Sequence, residues 1–287
     1  MKRFKMFILN DVSFSYGEDR FPALRNLTLS VAPGSFTALM GASASGKSTL
    51  AKLLNAILLP QTGEIIIGGL PARLPENRAA IRRLVGLVSQ NPDDQIVATT
   101  VEEDISFGPG NLGLPVTETQ ERVEEALALL GLEAIRHREV TRLSGGQKQK
   151  LALAGALALR PRALVLDEAT AMLDPAGRDE VLEAVCALRR QKALTVLWIT
   201  HRAEEALRAQ RLIVLRDGEI AWDGEPVGIL GRAELRECGL LPPPCGVLLQ
   251  KLAAAGRPVP LTALTPETCA DALAALWPGR EGETPHA

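Results

Sequence analysis

The 287-residue sequence has few aromatic residues, few cysteines and almost no net charge. Aromatic side chains make up 3% and the formal net charge is −2, so neither base-stacking surfaces nor a basic patch favours nucleic acid as a partner. The four cysteines lack the close-paired spacing of a metal site, and reduced thiols are the simpler interpretation. No apolar run approaches the roughly 18 residues of a membrane-spanning helix. We therefore expect neither a nucleic-acid partner nor a transmembrane segment.

A glycine-rich segment follows the apolar run Phe36–Met40 and precedes a helix predicted over Lys47–Leu58. Its pattern, Gly-x4-Gly-Lys-Ser, is that of a P-loop, whose backbone N–H groups and following helix start bind phosphate. The alternative is a glycine turn with an incidental lysine. We expect Lys47 to contact the β- and γ-phosphates and the Ser48 hydroxyl to ligate Mg²⁺. The candidate nucleotide-binding residues are Gly41, Ala42, Ser43, Ala44, Ser45, Gly46, Lys47, Ser48 and Thr49.

Two further apolar strands end in polar residues. Arg162–Leu166 leads into Asp167 and Glu168, and Leu194–Thr200 leads into His201. The carboxyl ends of strands form the ligand-binding edge of an α/β sheet, so we expect these side chains beside the P-loop. Asp167 would hold Mg²⁺ through water, Glu168 would orient or deprotonate the attacking water, and His201 would contact the γ-phosphate. The alternatives are solvated acids at a strand end and a structural histidine.

Residues 143–147, Leu-Ser-Gly-Gly-Gln, form a second candidate phosphate site. Ser144 is a favourable N-cap for a helix that ends before Pro161. The two glycines after it leave N–H groups facing an anion, although Lys47 already supplies one helix start to the nucleotide. The candidate residues of this second site are Ser144, Gly145, Gly146 and Gln147.

The P-loop and Leu-Ser-Gly-Gly-Gln, in this order, resemble the motifs of ABC ATPases. Gln90 after an apolar strand, Asp174 in Ala171–Asp174 and Tyr16, the only tyrosine, complete that set. The resemblance implies that Tyr16 stacks on adenine, that Gln90 senses Mg²⁺ and the membrane partner, and that Asp174 lines a dimer seam. An ordinary strand aromatic, a polar cap and a turn are the alternatives for these three residues.

Two chains of an ABC ATPase meet head to tail, so the resemblance implies a shared site. Ser144, Gly146 and Gln147 of one chain would close over ATP held by the other. ATP binding would close the dimer, and hydrolysis would open it. ATP and Mg²⁺ are the ligands that the resemblance implies.

Three segments resemble one group within the ABC ATPases, the ATP-binding subunits of energy-coupling factor transporters. They are Gln90–Val97, Thr100–Gly108 and Asn111–Pro115. These transporters import vitamins or transition-metal ions. Ala169, where most ABC ATPases have proline, is similar to the first of the two ATPase paralogues, and so is the C-terminal stretch. The sequence departs from the family at Ala44, where a third glycine is usual, and at Lys150, where arginine is usual.

The resemblance implies three partners. They are a second ATPase of this type, identical or paralogous, a membrane-embedded coupling subunit and a small substrate-capturing membrane subunit. The chain would lie at the cytoplasmic face of the membrane as a peripheral protein. The alternatives are the ATPase of a conventional importer served by a soluble binding protein, and a non-transport ABC ATPase.

We therefore predict an α/β fold with a P-loop NTPase core of the ABC ATPase type. An antiparallel β subdomain at the N-terminus, an inserted α-helical subdomain and a small C-terminal appendage would complete it. Residues 1–230 would form the nucleotide-binding domain, with the helical subdomain at about 91–161. Residues 231–287 would form the appendage, a candidate dimerisation element. A helix is predicted over Glu118–Leu130, with an apolar face ending at Gly131.

Overall fold

The computed structural model describes residues 4–17 and 22–276, which contain both strands and helices. The strands within these residues are β1 (Phe7–Phe14), β2 (Leu24–Val31), β3 (Phe36–Gly41), β4 (Thr62–Ile67), β5 (Leu70–Pro71), β6 (Val85–Val88), β7 (Ala163–Asp167), β8 (Thr195–Ile199), β9 (Arg211–Arg216) and β10 (Glu219–Gly224). The helices are α1 (Lys47–Leu54), α2 (Asn77–Leu84), α3 (Val101–Asn111), α4 (Val116–Leu130), α5 (Gly145–Ala158), α6 (Pro175–Lys192), α7 (Ala203–Ala206), α8 (Pro226–Leu230), α9 (Pro244–Ala254) and α10 (Pro266–Leu276).

The strands form two sheets with different pairing. The first is antiparallel, in the order β2-β1-β4-β5. In β1 Phe7 and Leu9 point to the same buried face, and Val12, beyond an irregularity in the pairing, is also fully buried. The second has the order β10-β9-β3-β8-β7-β6 and is parallel except for the β9–β10 hairpin. Its central strands β3, β7 and β8 are buried along their whole length, as expected of a parallel sheet covered on both faces. The predicted α/β core with an antiparallel N-terminal part is confirmed.

Helices α3, α4 and α5 form the predicted insertion between β6 and β7. Thr100 and Glu103 make a capping box at the start of α3, and α4 ends at Gly131 in a left-handed conformation. Helix α4 begins at Val116, two residues before the predicted start, because Pro115 is compatible with a helix N-terminus. Among the described residues, no helix combines the length and apolar character needed to cross a bilayer. The predicted apolar face of α4 is buried at Val123, Ala126, Leu127 and Leu130.

Helix α1 is shorter than the sequence indicated. It ends at Leu54 instead of Leu58, and Ala56 adopts a left-handed φ of 53°. The buried Asn55 side chain donates to the carbonyl oxygen of Val85 at 2.6 Å, so the chain leaves the helix to bond with β6. The apolar residues beyond Leu54 had extended the predicted helix, but a tertiary hydrogen bond determines where it ends.

The C-terminal segment takes part in the main core. Gly239, at φ 67°, lies against the P-loop, since a Cβ there would be 3.0 Å from the Cβ of Ala42. Helices α9 and α10 enclose a small cluster of their own around Leu249 and Cys269. Residues 277–287 of the predicted appendage lie outside the described residues. The segment's contributions to the main core cluster are Leu235, Cys238, Leu240 and Leu264.

Leu235→Ala should lower the free energy of unfolding by about 2–5 kcal/mol, because a fully buried leucine leaves a cavity when it is truncated. The matched control is Leu241→Ala, which removes a side chain of the same segment that is 73% exposed. The control should change the free energy by less than about 0.5 kcal/mol. Urea unfolding measures both, and equal effects would contradict packing of this segment on the core.

Candidate nucleotide-binding site

Four parallel strands deliver the predicted site residues to one edge of the central sheet. Strand β3 ends at Gly41, β7 at Asp167, and β8 and β6 end just before His201 and Gln90. Asp167 on β7 is in register with Ile199 on β8, which fixes these strand ends side by side. The carboxyl edge of a parallel sheet is where α/β proteins bind ligands.

The P-loop is held in shape by close backbone contacts. A Cβ at Gly41 would collide with the Ser45 hydroxyl and with a β9 carbonyl, and a Cβ at Gly46 would collide with the carbonyl of Ala23. Lys47 is buried, and its Nζ donates to the carbonyl oxygens of Gly41 at 2.9 Å and Ala42 at 2.8 Å. The loop therefore closes around its own lysine. The residues on its exposed side are Ser43, Ala44 and Ser48.

Ala44 occupies a left-handed conformation with φ 64°. Glycine adopts this region without a steric penalty, whereas an L-residue with a Cβ loses roughly 1–2 kcal/mol there. This explains why a third glycine is usual at this position in the family that the sequence resembles. Alanine at this position strains the loop locally, but Lys47 still reaches its two carbonyl partners.

Opposite charges are buried together beneath the loop. Burial raises the pKa of the Asp167 carboxyl above its usual value, and the Ser48 hydroxyl and Lys47 act in the opposite direction. Burial also lowers the pKa of Lys47, against the attraction of Glu168 and Asp167. Each charge therefore lacks the solvation that it would have in water.

The residues at this edge fit a magnesium ion. Within residues 4–17 and 22–276, the buried Asp167 Oδ1 has no hydrogen-bond partner, and neither does the buried Ser45 Oγ. A carboxylate and a hydroxyl oxygen, from Asp167 and Ser48, are the hard ligands that Mg²⁺ takes beside phosphates. Gln90, the third predicted metal residue, lies at the same sheet edge but bonds to Glu168.

Glu168 lies between the other two predicted catalytic residues. Gln90 Nε2 donates to Glu168 Oε2 at 2.9 Å, and His201 Nε2 lies 2.5 Å from Glu168 Oε1. Glu168 has a left-handed φ of 53°, and its N–H donates to the carbonyl of Ile199 on β8. The structure thus brings three residues from three separate strand ends into one hydrogen-bonded group.

Tyr16 lies at the surface beside the P-loop helix α1. The residue is 46% exposed. Its ring packs edge to face on Phe14 with centroids 5.0 Å apart, and its hydroxyl lies 3.3 Å from Thr49 Oγ1. A flat, exposed ring beside the P-loop helix can stack on a base. Stacking on adenine stays a prediction.

The second phosphate motif lies on a different surface. Ser144 and Gln147 form a capping box at the start of α5, so the predicted N-cap is present. A Cβ at Gly145 would lie 3.2 Å from the Met172 sulfur, so the glycine allows close packing on the segment before α6. This motif lines a recess of about 790 Å³ together with residues 172–174, the start of α6 and the segment after α4, and none of residues 41–49 lines it.

The remaining two predicted positions lie around the same recess. The Asp174 side chain caps α6 by accepting from the N–H of Gly177 at 2.8 Å. Lys150, where the family usually has arginine, pairs with Glu180 of α6 at 2.8 Å. The cation therefore ties α5 to α6, and a planar guanidinium is not needed for this contact.

The sequence analysis missed one buried group. Glu205 is 6% exposed and accepts hydrogen bonds from the side chains of Thr170, Trp198 and Thr200. The available signal was a glutamate four residues after His201, on the apolar face of a short helix. A single sequence gives no reason to prefer it over the neighbouring Glu204, which is exposed.

Comparison with known proteins identifies the family. The ABC transporter family model matches residues 24–171. The chain is 46% identical over 278 residues to the energy-coupling factor transporter ATP-binding protein EcfA1 of Symbiobacterium thermophilum, with 94% of this chain and 97% of that protein covered. The chain belongs to the ABC transporter family. Within this ABC family it is the ATP-binding and ATP-hydrolysing subunit of the energy-coupling factor type. The EcfA1 protein of Enterococcus faecalis, 45% identical over 268 residues, supports assignment to the first paralogue.

Solved structures confirm the ABC ATPase fold. The cbiO1 protein of Clostridium perfringens, described as part of the ABC transporter complex cbiONQ, superposes with a TM-score of 0.74 at 30% identity. That comparison covers 86% of this chain and 99% of the other. The ATP-binding cassette MJ0796, a dimer in a post-hydrolysis state with ADP and phosphate, gives a TM-score of 0.72 at 30% identity, covering 77% of this chain and 99% of the other.

Asp167→Asn should raise the melting temperature of the nucleotide-free ABC subunit at pH 7 by about 2–4 °C, equivalent to roughly 1 kcal/mol. The reason is that burial raises the pKa of Asp167, so its charged form is less favourable in the folded protein than in the unfolded chain. The increase in melting temperature on adding ATP with Mg²⁺ should be smaller in Asp167→Asn than in the wild type. Thermal unfolding with and without ligand measures both, and exposed Asp179→Asn is the control. A lower melting temperature without nucleotide would contradict the prediction.

Proposed function

We propose that this chain couples ATP hydrolysis to uptake of a vitamin or a transition-metal ion through separate membrane subunits. The names of the curated relatives support transport of the energy-coupling factor type over the two alternatives weighed above. The observation that carries the proposed chemistry is the group formed by Gln90, Glu168 and His201, next to the P-loop. These positions come from separate strand ends, which argues against three unrelated solvated side chains.

In the proposed mechanism, Glu168 orients the attacking water and accepts its proton. Gln90 and His201 hold the carboxylate from both sides, so its position is fixed before the reaction begins. Lys47 would leave its carbonyl partners for the β- and γ-phosphates, which compensate its burial better than neutral carbonyls do. Bound Mg²⁺ supplies charge neutralisation at the phosphate oxygens. Asp167 and Ser48 would hold it, and Gln90 would respond to it.

We also propose that the active form is a dimer with a second ATPase of this type. The recess at Ser144–Gln147 is open at the surface and carries a helix start with exposed glycine N–H groups. The partner's nucleotide is a chemically fitting occupant, and Asp174 at the rim would meet the same interface. The dimeric cassette MJ0796 with ADP and phosphate is a precedent for this arrangement.

A second surface fits a helix of the membrane coupling subunit. A groove of about 280 Å³ runs between the core and the helical insertion, beside the segment Gln90–Gln95. Its margin carries Ile57, Val97 and Phe107, three large apolar side chains that are half-exposed or more. Buried Asp104 accepts from the N–H groups of residues 97 and 98, so this margin is rigid. An apolar helix would find preformed contacts there.

Docking in this groove would place the chain at the cytoplasmic face of the membrane as a peripheral subunit. A small substrate-capturing membrane subunit would complete the assembly. We propose residues 1–230 as the nucleotide-binding domain and 91–161 as its helical subdomain. Residues 231–287 would be the appendage, although part of it packs in the main core.

Glu168→Gln should reduce ATP turnover by about 10²–10⁴-fold in the assembled transporter, because a positioned base contributes that much. ATP affinity should be retained, and the closed dimer should persist with ATP on size-exclusion chromatography. Steady-state ATPase assays measure the loss, with the exposed Glu219→Gln as the matched control. Near wild-type turnover in Glu168→Gln would remove this residue from the role of base.

Phe107→Asp should weaken binding to the coupling subunit by about tenfold or more, the loss expected when an interface loses an aromatic anchor. ATP affinity of the isolated chain should not change. Val116→Asp is the control, since Val116 is 74% exposed but lies outside the groove. Co-purification with the co-expressed membrane subunits measures the effect. Equal retention of both variants would mean that the coupling helix binds elsewhere.

A further inference from the structure

A buried carboxylate connects the two loops that carry Glu168 and His201. Glu205 Oε1 accepts from Thr170 Oγ1 at 2.8 Å, two residues after Glu168. Glu205 Oε2 accepts from Thr200 Oγ1 at 2.6 Å, one residue before His201. The same hydroxyl of Thr200 accepts from the N–H of Arg202 at 3.0 Å, on the other side of His201. One side chain therefore spans both loops.

The contacts of Glu205 are protected from water. Thr170, Trp198 and Thr200 are between 1% and 3% exposed, and Trp198 Nε1 donates to Glu205 Oε2 at 2.9 Å. A buried carboxylate without partners is strongly unfavourable, so three donors on it form a tight group. Removing one donor leaves the carboxylate partly unsatisfied at a place where solvent does not replace the lost bond.

We infer that Glu205 is a positioning residue, which sets the distance between the Glu168 carboxylate and the His201 imidazole. This inference rests on the proposed roles of Glu168 and His201. Glu168 has a left-handed φ of 53°, a conformation that non-glycine residues hold only when their surroundings enforce it. Its N–H bond to Ile199 holds one end of the loop, and Thr170 on Glu205 holds the other.

The same loop continues to the surface proposed for the second ATPase. Ala171 donates back to the carbonyl of Glu168, and Leu173 donates back to Thr170. Met172 and Leu173 then pack on Gly145 and Gly146 of the second phosphate motif. A displacement of Thr170 would therefore move the Glu168 carboxylate more directly than it would move Lys47 or Tyr16, whose proposed nucleotide contacts come from other parts of the chain. We expect a change in kcat with little change in KM.

The decisive variant is Thr170→Val, which has the same shape and lacks only the hydroxyl that donates to Glu205. In the assembled transporter, its kcat for ATP should fall about tenfold to hundredfold, because small displacements of reacting groups have effects of that size. The KM for ATP should stay within about twofold. Glu204→Gln changes the exposed neighbour of Glu205 on α7 and should match wild type.

Glu205→Gln and Glu205→Leu separate a positioning role from a general effect on stability. In Glu205→Gln the amide oxygen accepts from Trp198 and Thr200, and the amide NH₂ donates to the Thr170 hydroxyl, which can also accept. Its kcat should stay within about threefold of wild type. Glu205→Leu keeps the bulk but breaks the link, and its kcat should fall as in Thr170→Val. Ile65→Ala, a buried change in the antiparallel sheet, controls for lost thermal stability.

The outcomes separate this inference from the proposed function. If Glu168→Gln, measured in the same complex, is inactive while Thr170→Val has wild-type kcat, the inference about Glu205 is wrong and the proposed base stands. If Glu168→Gln turns over ATP normally, the proposed role of Glu168 as the base is wrong, and the inference about Glu205 loses its foundation. If Thr170→Val loses activity only as much as Ile65→Ala of equal melting temperature does, the link is structural. Thr170→Val carries the test if Glu205→Leu does not fold.

Discussion

The nucleotide site depends on the burial of two opposite charges at one edge of the central sheet. Lys47 and Asp167 are each about 5–6% exposed. Burial lowers the pKa of Lys47 and raises the pKa of Asp167, so in both cases it favours the neutral form. Carbonyl oxygens of the P-loop solvate the ammonium only partly, and among the described residues one Asp167 oxygen has no partner. Such a site is less stable alone than with its ligand, as is common where function requires strain. ATP with a hard cation would supply what both groups lack.

One short segment links this edge to the rest of the molecule. It starts at Glu168, which bonds to Gln90 and His201, and reaches Asp174, which caps α6. Between them Thr170 bonds to Glu205, and Met172 packs on the glycines that start α5. The seven residues 168–174 therefore run from the proposed base to the proposed dimer surface. Because one continuous set of contacts runs from the proposed base to the proposed dimer surface, the segment is suited to transmit a change at one end to the other.

The sequence predicted those features that are encoded locally. The P-loop, the strand-ending Asp167 and the N-cap at Ser144 are short patterns whose chemistry does not depend on distant residues, and the structure has each where it was expected. Features set by tertiary contacts could not be predicted. Helix α1 ends early because Asn55 bonds to β6, and Glu205 differs from Glu204 only in what packs around it. The packing of the C-terminal segment in the main core could not be predicted either, because it depends on contacts with residues far away in the sequence.

The geometry of the two helix starts argues for a shared site. The first, at Lys47, is enclosed by its own loop and lies beside Asp167 and Glu168. The second, at Gly145, faces a recess lined by α5, by the segment after α4, by residues 172–174 and by the start of α6, with no wall from residues 41–49. Exposed N–H groups at a helix N-terminus bind an anion more favourably than they bind water. We propose that the recess meets a triphosphate held by another chain. ATP would then favour the closed pair over separate subunits, and loss of the γ-phosphate would remove that preference.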